Sequence, residues 1–160
     1  MHECAAVCRC RDRYFSNIFF FLACPPGWKL FDHTTMTRCY KYFSGHRNWG
    51  DARATCQGSL FSGGDLASVP DQDTNDFLIS DEITNGRRSW IGGQRVGEEW
   101  TWNDGTPWDF ENWSPGEPDN KHNRQAHLTF NHWRPEEWDD DYYDSSGVQG
   151  FTCQTQGRYS

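Results

Sequence analysis

The sequence lacks any apolar run close to the roughly 20 residues that cross a bilayer as a helix, so we expect no membrane insertion. It is also poor in basic residues, because 15 Lys and Arg stand against 23 Asp and Glu and give a formal net charge of −8. Nucleic acids and anionic membrane surfaces bind basic patches, so this balance disfavours both as partners. Neutral or cationic partners fit the charge better.

Residue patterns for zinc binding and catalysis are missing as well. The seven cysteines include no CxxC pair and no zinc-finger spacing with histidine. Disulfides are the better interpretation, and they predict a secreted, extracellular protein. His122, His127 and His132 share no single face of a helix or strand, which disfavours a zinc centre. No serine or cysteine nucleophile with a plausible base stands out, so we expect no enzyme.

Aliphatic residues are modest in number, whereas aromatic residues make up 16% of the 160 residues and include nine Trp. This composition predicts a core of large rings and glycine turns rather than a leucine-rich helical bundle. The length suits one domain, and no change of composition along the chain indicates a second.

Residues 1–23 allow two interpretations. Three arginines precede the apolar stretch "IFFFLA" at 18–23, as in a secretory signal peptide cleaved near Cys24. Phe21 is large for a position before a cleavage site, and cysteines are unusual in a signal peptide, so an N-terminal strand or arm stays open. If the segment is retained, its three cysteines offer a link between two chains of a homo-oligomer: Cys4, Cys8 and Cys10.

Periodicity predicts two helices and several short strands. Trp49, Ala52 and Cys56 are spaced as on one face of a short helix. A second helix is predicted after Pro70, where Asp71 suits its N-terminus. Alternating residues predict a hairpin at 24–42 and four further strands, at 89–93, 99–102, 126–130 and 150–154.

Residues 103–125 show no strand period. A loop of this length in a compact domain is usually functional, because ordering its backbone costs entropy. It contains "GEPDNKHNRQ", in which Glu117 and Asp119 flank Pro118. Calcium takes about six to eight oxygen ligands from carboxylates, amides, backbone carbonyls and water, so the loop predicts a cation site. A solvated acidic turn is the simpler alternative.

Several ordered motifs follow the two predicted helices: "WIGG" at 90–93, "WTWNDGTPWDFENWSPGEPDN" at 100–120, "EWDDD" at 137–141 and "FTCQ" at 151–154. Together they resemble a C-type lectin-like domain of the long form. The resemblance covers about residues 24–156, leaving an N-terminal segment, 1–23, and a C-terminal tail, 157–160. It implies an α+β fold with two short helices, short antiparallel sheets and a long calcium-binding loop.

The resemblance also implies two disulfides, Cys24–Cys39 and Cys56–Cys153. A further internal disulfide of the family, between the strand after the long loop and the loop after its Trp-Asn-Asp motif, is missing. His127 stands at the first of these positions, and "DYYDSSG" at 141–147 offers no cysteine. Because such a crosslink contributes about 2–4 kcal/mol, we expect binding loops that are more mobile than is usual for the family.

In the family, calcium is held by the residues that flank the loop proline, an acid eight residues after the first, and an Asn-Asp pair in the following strand. The resemblance places these ligands at Glu117, Asp119, Gln125, Asp139 and Asp140. Pro118 is expected on a cis peptide bond that turns both of its neighbours toward the ion. A second family calcium site is not expected, because Ala126 replaces an acid there.

A sugar hydroxyl bound to calcium accepts a hydrogen bond from an amide and donates its proton to a carboxylate. Glu117 and Asp119 are both acids, unlike the Glu-Pro-Asn of mannose-type sites or the Gln-Pro-Asp of galactose-type sites, so one hydroxyl lacks its amide donor. Gln125 and Asp139 keep one amide and one acid for the other hydroxyl. The sequence therefore predicts calcium more firmly than it predicts a particular sugar.

We accordingly expect a secreted lectin that binds vicinal sugar hydroxyls through calcium, with microbial surface glycans as a ligand class. The expected carbohydrate contacts are Glu117, Asp119, Gln125, Asp139 and Trp133. Trp133 is placed to stack on the apolar face of a sugar, although ordinary packing is an equal alternative. A lectin-like module that binds protein, mineral or ice through the same surface is the rival hypothesis.

Overall fold

The computed structural model describes residues 22–33, 36–58, 63–130, 133–134 and 136–159. In chain order the elements are β1 (Leu22–Ala23), β2 (Lys29–Asp32), β3 (Thr37–Ser44), α1 (Trp49–Gly58), β4 (Asp65–Leu66), α2 (Gln72–Ile79), β5 (Ser89–Val96), β6 (Glu99–Trp102), a 3₁₀ turn (Lys121–Asn123), β7 (Gln125–Phe130), β8 (Trp138–Tyr142), β9 (Gly150–Gln156) and β10 (Arg158–Tyr159). The predicted α+β class is confirmed. In these ranges no helix has the length and apolar character to cross a membrane.

Eight strands form one sheet in the order β2-β3-β9-β5-β7-β8, with β4 paired to β9 and β6 paired to β5. The β5–β9 pair is parallel, whereas the neighbours that build the site, β5–β7 and β7–β8, are antiparallel. Strands β1 and β10 pair with each other, joining residues that the sequence placed in the two flanking segments. Residues 1–21, including Cys4, Cys8 and Cys10, lie outside the described ranges, so the signal-peptide interpretation and the roles of these cysteines stay predictions.

Both helices lie where the sequence predicts them. The stripe of Trp49, Ala52 and Cys56 is buried on α1. The side chain of Asp71 caps α2 by accepting the backbone N–H of Thr74 at 2.7 Å, which satisfies one of the donors left open at a helix start. The helix ends at Ile79, and the chain then continues in turns.

The core is aromatic, as the composition predicts, and Trp138 lies at its centre. This side chain is fully buried and packs edge-on against Trp102 and Trp113, at centroid distances of 5.5 and 5.9 Å. Its backbone N–H donates to the carbonyl of Asn112, and its carbonyl accepts the N–H of Ser114. The base of the long loop is therefore fixed to the start of β8.

Two disulfides, Cys24–Cys39 and Cys56–Cys153, are present, as the resemblance implies. Where the family has its further disulfide, aromatic rings pack instead. The His127 ring lies 4.6 Å from that of Trp49 and 5.4 Å from that of Tyr143, which follows β8. This contact joins the same two regions without a covalent bond.

The packing of His127 predicts a pH-dependent stability. Burial lowers the pKa of His127 to about 4, whereas an unfolded histidine titrates near 6.5. Between these values the unfolded chain binds a proton that the folded chain does not, so the free energy of unfolding is expected to fall as the pH drops from about 6.5 to about 4. His127→Phe is expected to remove this part of the decrease, measured by urea unfolding with chelator at both ends of the range.

The exposed His46 supplies the control, because His46→Gln removes a histidine without touching this packing. Equal pH-dependent losses of stability in the wild type and in His127→Phe would contradict the prediction.

Candidate functional site

Three carboxylates from two separate segments meet beside the long loop. Glu117 and Asp119 come from the loop, and Asp140 comes from β8. Each offers one oxygen, and these oxygens all lie within 4.8 Å of one another. Glu117 is half-buried, Asp119 is exposed and Asp140 is fully buried, so the cluster opens to solvent on the loop side.

The loop reaches β8 through its backbone. The N–H of Glu117 donates to the carbonyl of Ser114 at 2.9 Å, and the peptide bond from Glu117 to Pro118 is cis, as predicted. One carboxylate oxygen of Asp140 accepts the N–H of Asp119, and the other accepts the N–H of Asn120, both at 3.0 Å. Asp140 therefore fixes the position of the loop as well as offering a ligand oxygen.

The turn that follows uses an unusual backbone conformation. Asn120, His122 and Asn123 have φ angles of 44°, 59° and 55°, in the left-handed region that residues with a Cβ rarely adopt. Asparagine tolerates this region better than most residues, which explains two of the three positions. The ring of His122 is held by a hydrogen-bond contact of 2.8 Å between its Nδ1 and the hydroxyl of Tyr142 on β8.

The charge of the cluster has no cationic partner in the part of the chain that the structure describes. Across the described ranges, no Lys or Arg forms an ion pair with Glu117, Asp119 or Asp140. Burial raises the pKa of Asp140 to about 7, the negative charge of Glu117 adds to the rise, and the two backbone N–H donors oppose it. Three crowded oxygens without a counter-charge fit a hard cation such as calcium, which neutralises them by coordination.

Gln125, predicted as a ligand, is turned toward the backbone. Its side chain is buried, its Oε1 accepts the N–H of Lys121, and its Nε2 donates to the carbonyl of Asp140 at 2.7 Å. The amide thus links the loop to β8. In its predicted role on the cation and on a sugar hydroxyl, Gln125 would have to use the second lone pair of Oε1 and the second N–H of Nε2, or give up these hydrogen bonds.

Asp139, the other predicted ligand outside the cluster, is paired with a cation. Arg88 Nη2 lies 2.8 Å from Asp139 and 3.0 Å from Asp141. Burial raises the pKa of Asp139 to about 6, and the charge of Arg88 opposes that rise. The structure therefore brings three of the five predicted ligands together and gives Asp139 and Gln125 other partners.

Two further residues complete the description of the predicted site. Trp133 is 86% exposed in the segment between β7 and β8, so its ring is open to solvent, and its stacking role stays a prediction. Arg88 was missed by sequence reasoning. Nothing in its local sequence points to a partner on β8, because the contact arises only when β7 places β5 and β8 in one sheet.

Comparison with known proteins agrees with this fold. The model of the family described as the Lectin C-type domain matches residues 45–155. A lectin of Pleurodeles waltl is 35% identical over 128 residues, which cover 76% of this chain and 70% of that relative. Among solved structures, the C-type carbohydrate-recognition domain of cow CD23, determined in the presence of a GlcNAc2Man3 oligosaccharide, has a TM-score of 0.72 at 28% identity and covers 86% of this chain and 99% of its own.

A calcium-independent type II antifreeze protein has a TM-score of 0.73 at 28% identity, covering 86% of this chain and 98% of its own. The fold and the matching family model together define a non-enzymatic, lectin-type binding protein. The chain belongs to the C-type lectin domain family. Carbohydrate binding is the activity of this class, and its domains typically bind calcium, which agrees with the carboxylate cluster.

Proposed function

We propose that the protein is a secreted lectin that binds glycans in a calcium-dependent manner at Glu117, Asp119 and Asp140. One observation supports this most strongly: the three carboxylates come from two separate segments, converge within 4.8 Å and have no Lys or Arg counter-ion in the described ranges. Such a cluster is costly unless a cation binds there. The two disulfides support secretion, because such bonds persist in oxidising compartments.

The residues of the chain have distinct tasks in this proposal. Asp140 is buried and holds the loop, Glu117 lies at the edge, and Asp119 is exposed to an incoming ligand. When bound, calcium supplies a coordination centre for two neighbouring hydroxyls of a sugar. Glu117 and Asp119 then accept hydrogen bonds from the sugar hydroxyls. Neither donates an N–H from its side chain, so the sugar hydroxyls must serve as donors at this edge.

The identity of the sugar depends on groups beyond the cluster. Gln125 and Asp139 were predicted to serve a second hydroxyl, and Trp133 to stack on the ring; these roles stay predictions. A missing amide donor costs about 0.5–1.5 kcal/mol for one hydrogen bond, so we expect weak binding of single sugars. Clustered glycans, such as those of microbial surfaces, are the ligand class we propose, because a homo-oligomer linked through the N-terminal cysteines would bind them at several sites at once.

Affinity chromatography tests the proposal directly. The protein is expected to stay on immobilised mannose or galactose in the presence of calcium and to elute with a chelator. Magnesium serves as the matched control, because its smaller octahedral shell suits this open carboxylate edge less well. Retention that persists after chelation would contradict a calcium-dependent lectin, and so would the lack of retention on any glycan with calcium present.

Ice binding is the second candidate, and the similarity to the calcium-independent antifreeze protein is the observation that favours it. The partners of Gln125 and Asp139 also leave fewer groups for a sugar. Thermal hysteresis measured with and without chelator separates the two functions. A hysteresis that is unaffected by chelator, together with no glycan retention, would replace the lectin proposal.

A further inference from the structure

Arg88 is a largely buried cation close to the proposed site, and the proposed function gives it no role. Its side chain is 15% exposed, and it contacts Asp139 and Asp141, whose side chains are 19% and 5% exposed. The contact with Asp139 is also a hydrogen bond, whereas that with Asp141 is a charge contact. Removing one partner of such a buried group leaves an uncompensated charge, so the three residues act as a unit.

The alternation of side chains along β8 separates this unit from the loop. Successive residues of a strand point to opposite faces of the sheet. Asp140 and Tyr142 face the loop, where they bind the backbone of Asp119 and the ring of His122. Asp139 and Asp141 therefore point the other way, toward Arg88.

Several contacts hold Arg88 in place. Its Nε lies 3.4 Å from the hydroxyl of Thr129 on β7. Its backbone N–H donates to the side chain of Gln149, and its carbonyl accepts the backbone N–H of the same residue. A Cβ added at Gly147 would lie 3.1 Å from Arg88 Nη1, so the guanidinium also fills the space beside the loop after β8. Gln149 thus fixes the backbone of Arg88, whereas Thr129 and the two carboxylates fix its guanidinium.

We infer that Arg88 is a positioning residue that holds Asp139 away from the cation and leaves Asp140 as the side-chain ligand from β8. This inference rests on the proposed function, because it concerns the same cation site. With Asp139 paired to Arg88, three carboxylates face the ion instead of the four in the predicted set. The pairing also gives Asp139 a structural partner in place of a ligand role.

Calcium titration of the full chain by calorimetry tests the inference. Asp139→Ala is expected to change the calcium dissociation constant by less than about threefold, whereas loss of a ligand removes a charge-assisted contact and is expected to cost about tenfold or more. Asp140→Ala is the matched control from the same strand and is expected to lose binding. Asp139→Asn, which keeps the shape of the side chain, should agree with Asp139→Ala and guards against a folding defect.

Variants of Arg88 supply a readout that a purely structural role would not change. Arg88→Gln removes a positive charge and releases Asp139, so it is expected to tighten calcium binding about threefold or more, and Arg88→Lys is expected to restore the wild-type value. The double variant Arg88→Gln/Asp139→Ala restores the net charge and should also return to that value. Circular dichroism confirms that each variant is folded.

The outcomes separate the two proposals. A wild type that binds no calcium overturns the proposed function and this inference together. A wild type that binds calcium, with Asp139→Ala weakened about tenfold or more, overturns the inference alone, because Asp139 is then a ligand. Unchanged affinity in folded Arg88→Gln overturns it as well.

Discussion

Replacement of Asp140 by alanine is expected to raise the calcium dissociation constant by about a hundredfold or more. The variant loses a ligand oxygen and two charge-assisted hydrogen bonds to the loop backbone, at Asp119 and Asn120. Hydrogen bonds to a charged group contribute about 1.5–3 kcal/mol each, and about 1.4 kcal/mol corresponds to a tenfold change in affinity. Calorimetry at neutral pH measures the change.

Asp109 provides the matched control for this variant. It lies in the same long loop, is exposed and stands outside the cluster. Asp109→Ala removes the same formal charge, so its calcium affinity is expected to stay within about twofold of the wild type. Equal losses in the two variants would mean that calcium responds to the overall negative charge, and the three-carboxylate site would have to be abandoned.

Removal of the Cys56–Cys153 disulfide is expected to lower the free energy of unfolding by about 4–5 kcal/mol, a large share of the 5–15 kcal/mol typical of a domain. The two cysteines are separated by 97 residues, so the crosslink restricts a long stretch of the unfolded chain. Both side chains are fully buried, which adds a packing loss when they become alanine. Urea unfolding of the double variant Cys56→Ala/Cys153→Ala measures the change.

The second disulfide is the internal comparison. Cys24 and Cys39 are separated by 15 residues, so the same entropy argument gives about 3 kcal/mol for Cys24→Ala/Cys39→Ala. The prediction is tested most directly by which of the two double variants has the larger decrease in the free energy of unfolding. If the short-range disulfide matters more than the long-range one, strain or residual structure rather than chain entropy governs the stability.

Much of the fold could be predicted because its determinants are local. The stripe of Trp49, Ala52 and Cys56 marks one face of α1, and the carboxylate of Asp71 marks the start of α2. Alternation also predicts the strands at 89–93, 99–102, 126–130 and 150–154, whereas β8 was expected only from the resemblance. The two-residue strand β4 was not predicted, because Asp65–Leu66 is too short to show a period and pairs with β9 far along the chain.

In the candidate site as well, some features follow from the sequence and others depend on contacts between distant segments. Glu117 and Asp119 lie on either side of Pro118 and are close in sequence, whereas the resemblance of "EWDDD" to the family motif is what placed Asp140 beside them. The partners of Gln125 and Asp139 were not predictable in this way. Gln125 binds the backbone of Lys121 and Asp140, whose positions depend on the folded loop, and the Arg88 pair depends on the order of strands in the sheet.

The left-handed residues after Asp119 have a consequence for protein engineering. Asn120, His122 and Asn123 adopt angles that glycine and asparagine accept and that valine, isoleucine and threonine resist. A combinatorial library intended to change the ligand should therefore allow only glycine, asparagine and the native residue at these three positions. Exposed positions such as Trp133 can be varied more widely. Randomising the whole turn would mostly yield clones that misfold before selection can act on their specificity.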